Sequence, residues 1–310
     1  MPGTLTAVPG IRVGHARVPG GGSGCTVVLG PFRGWVEILG MATGSRELHL
    51  LDPLHLSPMV QALLLTGGSA FGLAAAQGVM DVLEERGQGF PTPGGPVPLV
   101  PGAVIFDLAE GVKRPGPEEG RKAAEGAAGE PVAQGRVGAG SGATVGKILG
   151  PERSSSGGVG SAAEGWREFT VGALAVVNAL GDVREEDGSI LAGARREDGA
   201  FLDTERFLGE DGGEPPGGSV PGLNTTLAVV ATDLSLRGPE LGRVARMAAG
   251  AFSRAITPVS SPFDGDLLFV LSTAPEAPET ERSPEALLSL GVRARALVEE
   301  AIRNAVRRVV

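Results

Sequence analysis

The 310-residue chain has one cysteine, three histidines, three lysines, two tryptophans and no tyrosine. A single cysteine, Cys25, excludes an intramolecular disulfide and any zinc site built from several cysteines. The histidines His15, His49 and His55 form no i,i+4 pair and no recognisable ligand motif, so neither a metal nor any other cofactor is expected. No apolar run approaches the length of a membrane span. The opening Met1-Pro2-Gly3-Thr4 lacks a basic stretch followed by an apolar core, so no signal peptide and a cytoplasmic location are expected. No basic stripe with interleaved aromatics occurs, and the net charge of −9 disfavours a nucleic-acid partner. Acidic balance suits solubility and attraction of cationic substrates.

What the chain has in quantity is small and breaking residues, 51 glycines and 24 prolines. They cluster between apolar runs, which predicts tight turns in a folded α/β (α+β) chain rather than disorder. Short apolar runs bounded by turn residues predict strands at Cys25–Leu29, Val60–Leu65, Ala103–Leu108, Phe169–Asn178, Leu227–Thr232 and Leu267–Ser272. Helical spacing predicts helices over Ser69–Arg86 and Pro239–Ile256. A third opens at Ser283-Pro284-Glu285, an N-cap, an N1 proline and a first-turn acid. Residues Val183–Pro221, rich in Gly, Asp, Glu and Pro, read as a long exposed excursion, and loops of that length are usually functional or mobile.

That excursion delivers the chain to Gly222-Leu223-Asn224-Thr225-Thr226, at the mouth of a buried strand. Asn is common in turns and Thr in strands, so the pentapeptide fits a plain strand start. It also fits a chain that cuts itself. Breaking the Asn224–Thr225 bond would leave Thr225 with a free α-amino group beside its own hydroxyl. Such an amine has a pKa of about 7.7–8.0 and can serve as a base. Nucleophile and base then share one residue.

Four other segments can carry chemistry. Asp264-Gly265-Asp266 sets two carboxylates one residue apart, able to hold a proton between them or orient an ammonium; an Asp-Gly turn opening a strand is the plainer alternative. Asn178 puts an amide at the end of a buried strand, where it serves as an oxyanion donor or as a turn residue. Val137–Lys147 contains Gly138-x-Gly140-x-x-Ala143, close to a dinucleotide fingerprint, yet no strand precedes it and the P-loop spacing fails at Ser141 and Ile148. Close backbone packing that sets Lys147 beside a site reads better, against a plain solvated lysine. The turn Gly67-Gly68-Ser69 lacks the spacing of a nucleophile elbow. Ser69 is expected to cap the following helix, and the turn's N–H groups can line a substrate pocket.

Together, Gly10-Ile11-Arg12-Val13-Gly14-His15, Leu65–Leu73, Val100–Leu108, Val137–Lys147, Val176–Gly181, Asn224–Asp233 and Pro262–Asp266 resemble the L-aminopeptidase/D-esterase family, which includes β-peptidyl aminopeptidases and nylon-oligomer hydrolases. The segments run in the family's order over nearly the whole chain. The resemblance implies one catalytic domain, 1–310, folded as a four-layer αββα sandwich. That arrangement is similar to N-terminal-nucleophile hydrolases with different connectivity, as in ornithine acetyltransferases. It implies self-cleavage into an α chain (1–224) and a β chain (225–310), usually assembled as a homo-tetramer. By position Thr225 would be nucleophile and base, Asn178 the oxyanion donor, and Lys147 a lysine near the nucleophile. Asp264 and Asp266 would orient the nucleophile or receive a substrate ammonium; some relatives carry Ser and Glu there, and Ser as nucleophile. With no tyrosine, this chain cannot copy relatives that use a tyrosine hydroxyl in the oxyanion hole. The implied activity is hydrolysis at the amino end of short peptides, amides or esters. Acyl transfer through an acyl-Thr225, and a non-enzymatic nucleotide binder built on Gly138–Lys147, are the alternatives.

Overall fold

The computed structural model describes residues 3–57, 59–210, 212–214 and 223–308. Gly222 and residues 215–221, the end of the Gly/Pro-rich segment, lie outside the described residues. Nine strands are hydrogen-bonded into one path: β1 (Arg12–Arg17), β2 (Gly24–Ile38), β3 (Ser45–Arg46), β4 (Val60–Thr66), β5 (Gly102–Val104), β6 (Gly158–Trp166), β7 (Phe169–Asn178), β8 (Thr225–Thr232) and β9 (Leu267–Ser272). Their order is β6-β7-β8-β9-β2-β4-β5-β3, with β1 beside β2. The 15-residue β2 belongs to two sheets. Its second half pairs with β9 and its first half with β1 and β4.

Side chains alternate along these strands with period two, and both faces are buried, which is why the runs read as continuously apolar. Val171, Ala173, Ala175 and Val177 of β7 with Ala228 and Val230 of β8 pack against α3 (Gly238–Ala255) and α4 (Pro284–Arg307). The opposite faces, Leu174, Val176, Leu227, Val229 and Phe269, meet Val28, Leu63 and Leu65 of the other sheet. That sheet's outer residues, Val27, Leu29, Ala62 and Leu64, are covered by α1 (Ala75–Glu85) and α2 (Pro117–Glu125). Three apolar layers between four structural layers make the αββα sandwich.

Helix ends follow local chemistry. Ser283 Oγ accepts from Ala286 N at 3.3 Å ahead of Pro284 in α4. The stretch 69–86 is not one helix: a four-residue turn, Ser69–Gly72, precedes α1. Ser69 is no cap either. Gly68 holds that position, and Ser69 lies inside the turn with φ 52°. Strand character after Ala103 stops at Val104. The segment from 183 is also more ordered than its composition suggests. Asp182 is fully buried and accepts Ala194 N at 3.0 Å and Thr204 N at 2.7 Å. Around it form strands Asp182–Arg184 and Ile190–Ala192 and the short helix Thr204–Gly209.

Candidate active site

Two registers build the site. The antiparallel β7–β8 pairing sets Asn178 opposite Thr225. The parallel β8–β9 pairing joins Leu227 to Leu267, and extending it backwards bridges Asn224 to Asp264. Thr225 is therefore flanked by an amide on one side and the Asp264-Gly265-Asp266 segment on the other. Five residues singled out in the sequence converge at one strand end.

Thr225 Oγ1 donates to the carbonyl oxygen of its own preceding residue, Asn224, at 2.6 Å. The Gly265 N–H reaches the same oxygen at 2.8 Å. Asn224 and Thr225 are 4% and 3% exposed, so the hydroxyl is covered while the chain is continuous. Asn224 Nδ2 donates to Phe263 O, whereas Asn224 Oδ1 is buried without a partner.

On the carboxylate side, Asp266 Oδ1 accepts Thr226 N at 2.6 Å and its Oδ2 accepts Ser260 N at 3.2 Å. Asp264 Oδ2 accepts the Ser261 N–H at 2.9 Å and the Ser261 hydroxyl. Burial, and then the neighbouring charge of Asp264, hold the Asp266 carboxyl well above the usual carboxylate range. Desolvation outweighs the two N–H bonds that favour its charged form.

On the amide side, Lys147 sends three hydrogen bonds to neutral oxygens: Asn178 O at 3.1 Å, Asn178 Oδ1 at 2.9 Å and Leu223 O at 3.1 Å. An ammonium has three donors, and all three are used. Burial still lowers its pKa to about 7, against the opposing attraction of Asp264 and Asp107. Asn178 is fully satisfied. Its Oδ1 also takes Thr144 N, and its Nδ2 donates to Phe106 O at 3.0 Å and Leu223 O at 3.3 Å. Lys147 is held there because Gly146 N and Lys147 N bond to Gly181 O and Leu180 O, each at 3.0 Å. Gly146 has φ 72°, and a Cβ on it would stand 2.0 Å from Ala194 N. The packing reading of that glycine-rich segment holds. Gly138 and Gly140 are buried in a single 3₁₀ turn, and no βαβ unit surrounds them.

Gly67-Gly68-Ser69 does not offer free donors. Its N–H groups bond to Gly24 O at 2.8 Å, Asp107 Oδ1 at 2.6 Å and Ile105 O at 3.0 Å. The sequence reading assigned no role to Asp107 or to the Gly265 N–H. Burial raises the Asp107 carboxyl's pKa, opposed by the Gly68 N–H and the Lys147 charge, and its Oδ2 is buried without a hydrogen-bond partner. An aspartate inside a quoted motif was the available signal for it. A backbone N–H leaves no such trace. Among the described residues no three His, Cys, Asp or Glu side chains converge as metal ligands, and no helix is long and apolar enough to cross a membrane.

The model for Peptidase family S58 matches residues 3–309. An uncharacterized aminopeptidase of Mycobacterium tuberculosis is 40% identical over 304 residues, 92% of this chain and 86% of that one. The 6-aminohexanoate-oligomer endohydrolase of Paenarthrobacter ureafaciens is 30% identical over 301 residues, 92% of this chain and 79% of that one. Among solved structures, the L-aminopeptidase D-Ala-esterase/amidase of Ochrobactrum anthropi, described as a variant of the Ntn hydrolase fold, superposes with a TM-score of 0.73 at 22% identity. The superposition covers 98% of this chain and 86% of that one. A Burkholderia sp. β-aminopeptidase gives 0.69 at 21% identity, with 98% and 87% covered. With these two structures the chain shares the fold.

Proposed function

The chain belongs to peptidase family S58, and from that membership and the geometry at the head of β8 we propose that it is a self-processing aminopeptidase whose nucleophile is Thr225. The observation that carries this reading is the Thr225 hydroxyl lying 2.6 Å from the oxygen of the peptide bond it would cut. Cleavage between Asn224 and Thr225 yields an α chain, 1–224, and a β chain, 225–310, and the processed pairs assemble as a homo-tetramer.

In the first stage Thr225 Oγ attacks the Asn224 carbonyl carbon, the C–N bond breaks, and an ester joins Asn224 to the hydroxyl oxygen. The proton lost by Oγ ends on the departing nitrogen. No free amine exists yet at Thr225, so Asp266, Lys147 or a water relays that proton. The displaced pKa values of Asp266 and Lys147 suit such a relay. Water then hydrolyses the ester.

In the second stage the freed α-amine of Thr225 takes the proton of its own hydroxyl, which attacks an amide or ester carbonyl. Asn178 Nδ2 and the Lys147 ammonium, which both point at Leu223 O in the continuous chain, supply donors for the developing negative charge. Asp264 and Asp266 orient the Thr225 amine or receive the substrate's ammonium. The substrates are short peptides, amino-acid amides and esters with a free amino end. The 6-aminohexanoate-oligomer endohydrolase relative extends the candidates to unbranched amide oligomers.

The test is hydrolysis of aminoacyl p-nitroanilides by the processed protein. Free-amine substrates turn over, N-acetylated ones do not, and Thr225→Ala is inactive on both. Full activity of Thr225→Ala would contradict the assignment.

A further inference from the structure

The scissile carbonyl and the carbonyl one residue before it are held by different donors. Leu223 O receives the Lys147 ammonium at 3.1 Å and Asn178 Nδ2 at 3.3 Å. Asn224 O, the oxygen that must carry negative charge during self-cleavage, receives the Gly265 N–H at 2.8 Å. The side chains that serve turnover are therefore engaged one residue upstream while the chain is still continuous.

We propose that the backbone N–H of Gly265 is the oxyanion donor for self-cleavage, distinct from the Asn178 and Lys147 donors of turnover. This rests on the reading of Thr225 as the self-cleaving nucleophile. In form the Gly265 bond belongs to an isolated parallel bridge, Asn224 to Asp264, in the register of the β8–β9 pairing. Its place on the scissile oxygen gives it chemistry. As Thr225 Oγ bonds to the Asn224 carbon, the carbonyl π pair moves onto that oxygen, and a neutral hydrogen bond becomes a charge-assisted one. The pair returns as the C–N bond breaks, so the donor neither gains nor loses its proton.

The residue type at 265 fits the role. A Cβ there would stand 2.7 Å from Ala42 O and 2.8 Å from Thr225 Oγ1, crowding the attacking hydroxyl. The donor is also braced before the reaction. Ala42 N donates to Asp264 O, and Leu39 N and Gly40 N both donate to Asp266 O, each at 3.0 Å. The residues on either side of Gly265 are thereby tied to the strand end of β2, and no reorganisation is needed as charge develops.

The test replaces one N–H by an ester oxygen without adding an atom to the site. Cell-free translation with glycolic acid at position 265 gives fresh precursor, and intact mass follows its cleavage over time. Gly265→glycolic acid should slow cleavage by about 10²–10³-fold, the usual effect of removing one such donor. Gly199→glycolic acid removes an N–H that bonds only to Arg196 O, at 3.0 Å in an exposed turn outside the site, and should leave the half-time close to that of the natural chain. Equal slowing by both esters, or none at position 265, overturns the proposal while leaving the Thr225 reading intact. A natural chain that never yields a Thr225 terminus overturns both. Should the 265 ester not fold, a crystal structure of the uncleavable Thr225→Ala precursor decides. Gly265 N on Asn224 O supports the proposal, and Asn178 Nδ2 on that oxygen overturns it.

Discussion

Strand β8 has threonine at both ends, and the two ends behave differently. At the far end Thr232 is fully buried and its hydroxyl is saturated, donating to Thr170 O at 2.8 Å and accepting Leu234 N at 3.2 Å. Asp233 beside it accepts Thr170 N at 2.7 Å. At the near end Thr226 Oγ1 is buried without a partner, Thr225 Oγ1 rests on the preceding carbonyl, and the adjacent carboxylate and lysine titrate far from their ordinary ranges. The same residue type closes a turn at one end and stands ready to react at the other. What differs is the neighbourhood that strand pairing brings, not the residue.

The largest way to break this contrast is Thr225→Ala, which should abolish both self-cleavage and turnover, read by intact mass and by release of p-nitroaniline. Next is Asn178→Ala, expected to lower kcat by about 10²–10³ through loss of one oxyanion donor. Near-normal turnover in that variant would remove Asn178 from the mechanism.

Asp266→Asn sharpens the comparison through pH. The folded Asp266 binds its proton more tightly than the unfolded chain does, so its contribution to stability is present below the ordinary carboxylate range. That contribution is lost as pH rises through the raised value. The variant should therefore gain thermal stability over the natural chain at pH 8 and little at pH 4, while cleavage slows. A gain of equal size at both pH values would contradict the burial account. The smallest effect belongs to the far end. Thr232→Val leaves Thr170 O and Leu234 N without their partner and should cost about 1–3 kcal/mol in chemical denaturation. Self-cleavage should proceed as before, because nothing at Thr232 touches Asn224.

Much of the near end is legible in the sequence. Phe169–Asn178 and Leu267–Ser272 were bounded to the residue, because apolar runs buried on both faces end abruptly at polar positions. The N-cap at Ser283 was legible for the same local reason. Strand pairing was not. Asn178 meets Thr225, and Asn224 meets Asp264, across long stretches of chain, and registers of that kind carry no local pattern. Helix α2 draws no apolar stripe because its buried face is Glu119, Gly120, Ala123 and Ala124, one acid and three small residues. Strand β6, Gly158–Trp166, is masked in the same way by glycine, alanine and serine. The family resemblance supplied roles for the site residues, while the donors on Asn224 O needed a backbone to be seen.

The claim at the centre of the account is a cut between Asn224 and Thr225, and intact mass under denaturing conditions with N-terminal sequencing tests it most directly. The account predicts two fragments, the smaller beginning Thr225-Thr226-Leu227. A protein that stays full-length on long incubation yet hydrolyses aminoacyl amides would contradict it, since Thr225 would then have neither a free amine nor an uncovered hydroxyl.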